Sequence, residues 1–232
     1  PEKPRLLGGL NLPSGSDANF EVHQGMVYAI IGSSGLAIIV VHIPSAVRLL
    51  DPVPLPHKVV AMHYDGDFLY LVASELLDRN DPQTETKGIR IYDLSTPEKL
   101  RFVGSLDFSW ERVGSHFQVV DGRAYLLDWW TDRGWPQSRL TVMDVSLPTS
   151  PKLFSSVDLA GEVGDLAMDG TTAYLAGGRS GGLRVLDVSR ATAIQAVGDL
   201  STVATALRIR SLGSVLYLAD SNRDGLQVLD AS

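Results

Sequence analysis

The sequence contains no cysteine, which excludes disulfide bonds and thiolate metal sites. It also has no apolar run of transmembrane length, because Gly32-Ser33-Ser34-Gly35 interrupts the most apolar stretch, residues 29–41. Positive charge is scarce: 20 Lys and Arg residues face 27 Asp and Glu residues, and the net charge of -7 argues against nucleic acid as a partner. No segment shows sustained helical periodicity. The chain starts at Pro1 with neither a signal peptide nor an initiator Met, so we expect it to be trimmed from a longer parent.

What the sequence does contain is a short recurring pattern, a β-rich run that ends in Asp-x-Ser. Copies occur at residues 35–45, 88–95, 139–146, 182–189 and 225–232. One copy begins with Arg139 where the others begin with glycine. The first copy is degenerate and has His42 where the others have aspartate. Repeats spaced by about 40–50 residues are typical of β-propellers and solenoids.

Each copy belongs to a unit of four predicted strands, which we label A to D in chain order. Strand C is the Asp-x-Ser run, and strand B before it is centred on a tyrosine, namely Tyr28, Tyr70, Tyr125, Tyr174 or Tyr217. Strand A ends at a turn such as Asp121-Gly122, which is typical of a hairpin. Strands B and C are apolar on both faces, as expected of blades packed between blades. We interpret the aspartate of Asp-x-Ser as a structural acceptor for backbone amides in the turn to strand D.

Five such units predict an all-β fold, a five-bladed β-propeller of four-stranded antiparallel blades. The chain finishes on a C strand, and residues 6–12 look like an unpaired D strand. We therefore expect this N-terminal strand to pair with the last blade and close the ring, leaving no open sheet edge. The prediction is a single domain, 1–232, with blades at roughly 13–53, 54–107, 108–159, 160–200 and 201–232 plus 1–12.

Three strand sequences together resemble those of LVIVD-repeat proteins. They are Gly-Leu-x-Val-Leu-Asp-Val-Ser at 182–189, Ala-Tyr-Leu-Ala at 173–176 and Val-Gly-Ser-Leu-Asp at 103–107. The resemblance covers nearly the whole chain and is clearest in the last two units. It implies a β-propeller of the kind found in secreted or surface-exposed prokaryotic proteins, and so an extracellular, cell-surface or periplasmic location. It supplies no catalytic motif, and the fold alone does not give the function.

Two B-to-C connections, residues 75–87 and 128–138, are longer than the others. All four tryptophans lie in the second of these or in the preceding D-to-A loop, and both kinds of connection share one face of a propeller. A tryptophan cluster with neighbouring charges has the composition of a recognition surface. The alternative is that some rings fold inward as a cap over the blade end. The candidate binding residues are Trp110, Arg112, Asp128, Trp129, Trp130, Asp132, Arg133 and Trp135.

A second candidate site is the mouth of the propeller channel. Alignment of the A strands on their tyrosines places five residues at equivalent positions, Asn19, Ala61, His116, Asp165 and Ala206. His57 lies just upstream of its strand, so Asn19, His57, His116 and Asp165 could bind a metal or perform acid–base chemistry. Two of the five positions are alanine, which leaves few ligands. This favours the competing interpretation, a hydrogen-bonded polar plug.

Two short motifs have structural explanations. Residues 178–182 match G-x-S-x-G, but a β-strand follows where a nucleophile elbow requires a helix. Asp220, Asn222 and Asp224 match the first half of a calcium loop, yet Ala231 stands where the twelfth-position glutamate is expected. A calcium-binding hairpin and a tight turn both stay open, with the turn favoured. No cofactor signature is present, so we expect no cofactor.

The lack of a convergent catalytic set predicts a non-catalytic binding or assembly module. A protein partner or self-assembly is favoured over a glycan, because no sugar-binding signature is present. The acidic residues of the first long connection favour a basic partner and salt-sensitive association. The alternatives are a carbohydrate-binding or glycan-active propeller, such as a glycosidase or lyase, and a structural subunit of a surface layer or filament.

Overall fold

The computed structural model describes residues 3–12, 16–31, 35–55, 58–78, 81–108, 116–177, 182–200, 206–220 and 225–231. This part of the chain forms twenty β-strands and one short 3-10 turn, Pro44–Ala46, and none of its helical structure is long and apolar enough to cross a membrane. The strands form antiparallel sheets in chain order, which confirms the predicted class, an all-β five-bladed β-propeller. The chain packs as two compact units, Pro1–Ser109 and Trp110–Ser232.

The first unit contains two sheets. Strands A to C of the first sheet are β1 (Ser16–His23), β2 (Met26–Ile31) and β3 (Gly35–Val40), and its outer strand is split into β4 (Arg48–Leu49) and β5 (Val53–Pro54). The split falls at Pro52, which has no amide to donate to a strand ladder. The second sheet consists of β6 (Lys58–Asp65), β7 (Phe68–Asp78), β8 (Asp81–Asp93) and β9 (Arg101–Phe108).

The second unit contains the remaining three sheets. The third sheet is β10 (His116–Val120), β11 (Arg123–Asp132), β12 (Trp135–Asp144) and β13 (Lys152–Ala160). The fourth is β14 (Asp165–Asp169), β15 (Thr172–Ala176), β16 (Leu183–Asp187) and β17 (Gln195–Leu200). The last, within the described residues, is β18 (Ala206–Leu212), β19 (Val215–Asp220) and β20 (Leu226–Asp230). The order of strands A to D is the one that the repeats predict.

The middle strands of each sheet carry the hydrophobic core. In the second unit, Leu175 of β15 packs with Leu127 and Leu140 of the third sheet. Its neighbour Tyr174, whose side chain points to the opposite face, packs with Leu218 of the last sheet. Burial on both faces explains why the B and C strands of the sequence are apolar throughout rather than alternating.

The Asp-x-Ser turns have the predicted structural role. In three turns the serine amide donates to the aspartate two residues earlier: Ser95 to Asp93 at 2.7 Å, Ser146 to Asp144 at 3.0 Å and Ser189 to Asp187 at 2.8 Å. In the first, the amide and hydroxyl of Ser95 and the side chain of Arg101 stabilise the charged carboxylate and lower the pKa of Asp93 to about 2. The motif therefore fixes the turn from strand C to strand D.

The outer strands share a bulge at one position. In β9, β13 and β17 the register shifts by one residue, which leaves Val103, Phe154 and Val197 without a cross-strand partner. A bulge twists an edge strand and interrupts its free ladder, which discourages pairing with another chain. These outer edges are therefore poor templates for strand addition.

The N-terminal segment differs from the expectation of a closing strand. Residues 3–12 form no strand, and the described part of the last sheet has β19 as the only partner of β20. Leu12 instead packs on Ala29, Ala37 and Ile39 of the first sheet. Gly8 lies so close to the connection after β3 that a Cβ there would overlap the carbonyl oxygen of Pro44. The two adjacent glycines of this segment weaken strand formation, which gives a physical reason for the difference.

Candidate functional site

The long B-to-C connections are paired strands rather than loops. In the second sheet, β7 and β8 continue to the pair Asp78 and Asp81. In the third sheet, β11 and β12 continue to the pair Asp132 and Trp135, whereas β10 reaches only as far as Leu127. We call residues 128–139 the tryptophan hairpin. It extends the middle of the third sheet beyond β10.

A two-residue turn closes the tryptophan hairpin. Arg133 has φ 47° and Gly134 has φ 87°, the pair of positive values that a type I′ turn requires. Glycine adopts this conformation freely, but arginine at the first position carries a steric cost. The turn matches the twist of the flanking strands and so sets the direction of the hairpin.

The hairpin presents tryptophans on both faces. Trp129 lies on one face opposite Ser138 and is 46% exposed. On the other face lie Trp130, Asp132 and Trp135, since cross-strand partners and alternate residues share a face. Trp135 is 73% exposed, while Trp130 is half-buried. Trp129 and Trp135 are therefore exposed, as expected for a recognition surface. Trp130 is partly covered, as the alternative of inward-folded rings expects.

Arg139 holds the base of the hairpin. Its Nε donates to Oδ1 of Asp158 at 2.6 Å and its Nη2 to Oδ2 at 3.1 Å, while its guanidinium carbon lies 5.5 Å from the centre of the Trp130 ring. The hydrogen bond to Arg139 lowers the pKa of the Asp158 carboxyl. Asp128 is buried beside Arg139 and adds negative charge there. Arg139 stands where the other repeats have glycine, and this break in the repeat is the sequence signal that points to its role.

Ser138 ties the hairpin to the segment that leads into β14. Its fully buried hydroxyl donates to the carbonyl of Gly161 at 2.9 Å and accepts from the amide of Val163 at 3.0 Å. The amide of Gly161 donates to the carbonyl of Pro136 at 3.1 Å. Because these bonds satisfy backbone groups on a chain segment that forms no sheet ladder, they rigidify the base of the hairpin.

Arg133→Asn should stabilise the second unit by up to about 1 kcal/mol, because asparagine tolerates the left-handed conformation that costs other side chains about that much. Asn-Gly is also the preferred pair for a type I′ turn. Urea unfolding followed by tryptophan fluorescence measures the change. Arg133→Ala is the control, since alanine removes the same side chain without relieving the turn. Equal stability for the two variants would contradict the prediction.

A second cluster lies on the inner strands of the second unit, around Asp165. Asp165 is 3% exposed, and its carboxylate accepts four hydrogen bonds. Oδ1 faces Nδ1 of His116 at 3.0 Å and the amide of Leu166 at 2.9 Å. Oδ2 faces Nη1 of Arg210 and the amide of Ile209, both at 3.0 Å. Asp165 thus joins β10, β14 and β18.

The electrostatics of Asp165 favour its charged form. Burial by itself raises the pKa of this carboxyl, but the hydrogen bond and positive charge of His116 and the amides of Ile209 and Leu166 outweigh burial, and the pKa is lowered. A carboxylate that stays ionised and has four donors is a stable acceptor. The arrangement can hold three inner strands together and orient His116 through its Nδ1.

The predicted channel-mouth residues that the structure describes are divided between the two units. The structure brings His116 and Asp165 together, whereas Asn19 belongs to the first unit, where its Nδ2 donates to the carbonyl of Val60 at 3.3 Å. The expectation that Ala206 is equivalent to Asp165 is wrong: Arg208 pairs with Ala219, two residues after its tyrosine, as Asp165 pairs with Ala176. Arg208 also stands nine positions before Tyr217, as Asp165 stands nine positions before Tyr174, so the spacing to the tyrosine itself selects Arg208.

Five predicted residues lie outside the described part of the chain: His57, Trp110, Arg112, Asn222 and Asp224. Asp220 is the last residue of β19. The calcium hairpin therefore stays a prediction, as does the contribution of Trp110 and Arg112 to the tryptophan face. Among the residues that the structure describes, no three His, Asp or Glu side chains are grouped as a metal site.

The first unit holds an unpredicted histidine cluster between β1 and β6. Nδ1 of His63 lies 3.4 Å from Oε1 of Glu21, and the rings of His23 and Tyr64 are 4.9 Å apart. Their contacts join adjacent inner strands, which is a structural role.

Comparison with known proteins agrees with the β-propeller class. A chain in the crystal structure of a nidogen/laminin complex is similar over 89% of this chain and 72% of its own length, with a TM-score of 0.55 and 14% identity. A protein from Lactobacillus plantarum is similar over 90% of this chain and 68% of its own length, with a TM-score of 0.57 and 16% identity. At such identities the likeness shows the fold alone. No protein-family model matches, and a search of curated proteins gives no match.

Proposed function

We propose that this chain is a non-catalytic binding module that recognises a protein partner through the tryptophan hairpin. The observation that carries the proposal is the exposure of Trp135 and Trp129, 73% and 46%, on a paired and anchored pair of strands. Tryptophan is highly buried on average, so rings left in solvent on a rigid element are good candidates for anchors. A preorganised hairpin also loses little conformational entropy on binding.

Two further observations support a protein-binding role outside the cytoplasm. One similar structure is described as a complex of nidogen with laminin, so a chain of this fold occurs in a protein complex. The repeat pattern resembles that of LVIVD-repeat proteins, which implies a secreted or surface location. Both lines are analogies of fold and pattern, and the hairpin supplies the site.

A glycan-active or carbohydrate-binding propeller is the main alternative. Exposed tryptophans also stack on sugar faces, and the His116–Asp165 pair offers an oriented imidazole. Against catalysis, all the donors around Asp165 are already engaged with its carboxylate, and its lowered pKa makes it a poor general acid. Loss of a hydrolase activity in His116→Ala would nevertheless favour this alternative.

The test is selection of a displayed random peptide library on the immobilised chain, with counter-selection on the Trp129→Ala, Trp135→Ala double variant. We expect the enriched peptides to bind the wild-type chain and to lose about 2 kcal/mol or more of binding free energy on the double variant. Phe102→Ala, Phe154→Ala is the matched control, because these rings are exposed by 54% and 38% on outer strands.

Three outcomes would overturn the proposal. Enriched peptides that bind the double variant as tightly as the wild-type chain would place recognition elsewhere. A glycan on an array that binds the wild-type chain but not the double variant would make the site carbohydrate-binding. Self-association in light scattering that the double variant abolishes would make the hairpin an assembly contact.

A further inference from the structure

The tip of the tryptophan hairpin offers the two kinds of group, an indole ring and a carboxylate, that hold the Arg139 guanidinium at the base. At the base, the Arg139 guanidinium lies against the Trp130 ring and pairs with Asp158, the residue directly across the ladder. At the tip, Asp132 and Trp135 are direct cross-strand partners on one face, whereas at the base the ring and the carboxylate lie on β11 and β13, on either side of Arg139. Asp132 and Trp135 are both exposed.

We propose that the tip binds an arginine side chain of the protein partner, stacked on Trp135 and paired with Asp132. This inference rests on the proposed function and names the chemistry that the hairpin recognises. Tryptophan is the best aromatic surface for a cation, and a guanidinium can stack on the ring while it donates to a carboxylate. Both groups are solvent-exposed, so an incoming guanidinium reaches them without displacing a neighbour.

Charge supports a basic occupant. The chain carries a net charge of -7, which draws cationic segments toward it. Near the tip, Asp132 provides the carboxylate, and Arg133 in the turn provides an opposing positive charge. One arginine side chain placed on Asp132 and Trp135 therefore fits the tip better than a partner surface with several positive charges, because Arg133 would repel the additional charges. For the same reason, Arg133→Asn should strengthen arginine binding by about twofold.

The experiment measures fluorescence anisotropy of labelled oligoarginine with the full chain at physiological ionic strength. Oligolysine and oligocitrulline of equal length are the comparison probes: lysine keeps the charge but lacks the planar group, and citrulline keeps the shape without the charge. We expect saturable binding of oligoarginine, at least about fivefold weaker binding of oligolysine and none of oligocitrulline.

Matched variants separate the site from general attraction. Asp132→Asn and Trp135→Ala should each weaken oligoarginine binding by about fivefold or more. Asp169→Asn removes an equal charge from the exposed end of β14, and Phe154→Ala removes a ring from an outer strand. Both should change binding by less than about twofold.

Equal losses for Asp132→Asn and Asp169→Asn would reduce the effect to net charge and overturn the inference. Equal affinities for oligoarginine and oligolysine would do the same. If oligoarginine fails to bind while library-selected peptides still require Trp135, the arginine inference is wrong and the proposed function stands. If neither probe depends on the hairpin, both proposals are wrong.

Discussion

Replacing Asp165 with asparagine should lower the free energy of unfolding of the second unit by about 2 kcal/mol, the scale for leaving buried donors without their acceptor. Each carboxylate oxygen accepts two hydrogen bonds, from His116 and Leu166 on one side and from Arg210 and Ile209 on the other. Asparagine keeps one of these oxygens and places a donor amide where the other stood. At least one buried backbone amide or charged side chain then loses its partner.

Tryptophan fluorescence during urea unfolding reports on this unit, because all four tryptophans lie within residues 110–135. The control is Asp158→Asn, whose carboxylate is 62% exposed in its pair with Arg139. An exposed pair is worth less than about 1 kcal/mol, so the control should unfold close to the wild-type midpoint. Similar midpoints for the two variants would show that Asp165 has no special role.

The effect of Asp165 should also depend on pH. Because its pKa is lowered in the folded protein, the carboxylate contributes its full stability above the usual pKa of about 4 and loses it as the pH falls through the lowered value. The gap between the wild-type chain and Asp165→Asn should therefore be largest near neutral pH and shrink as the pH falls below about 4. A gap that stays constant into acid would contradict this assignment.

Gly88→Ala should destabilise the first unit by about 2 kcal/mol or more, as overpacking of a tight interior does. A Cβ at this position would overlap the carbonyl oxygen of Leu106 on the neighbouring strand. It would also lie 2.7 Å from Nη1 of Arg90 and 2.9 Å from Oδ1 of Asp107, which form an ion pair at 2.6 Å. The clash with backbone cannot be relieved by a rotamer change, so the outer strand must move.

Gly198→Ala is the matched control for Gly88→Ala. It is also a strand glycine, but its nearest neighbour would be Cβ of Val185 at 3.9 Å, an ordinary contact. This substitution should leave stability unchanged or raise it by up to about 1 kcal/mol, because alanine restricts the unfolded chain. Since the first unit has no tryptophan, circular dichroism during thermal unfolding measures Gly88→Ala. An unchanged unfolding temperature for Gly88→Ala would contradict the prediction, because it would mean that β8 and β9 move apart at little energetic cost.

Some of the candidate site could be predicted from the sequence and some could not. The sequence alone places Trp129, Trp130 and Trp135 in one connection between predicted strands. It does not show that this connection folds as a paired hairpin. Arg139 is visible as a break in the repeat, since its counterparts are glycines. Arg210 carries no such signal. It meets Asp165 from 45 positions away, and only the packing of β14 against β18 sets that distance.

The sequence by itself determined the four-strand unit, its five-fold repetition and the Asp-x-Ser turn, because these depend on apolar patterning and on hydrogen bonds between residues two positions apart. The tertiary structure alone decided that residues 128–139 form a paired hairpin and which of its tryptophans face solvent. It also decided that residues 3–12 form no strand. These features depend on strand register and on contacts between distant segments, which no local pattern encodes.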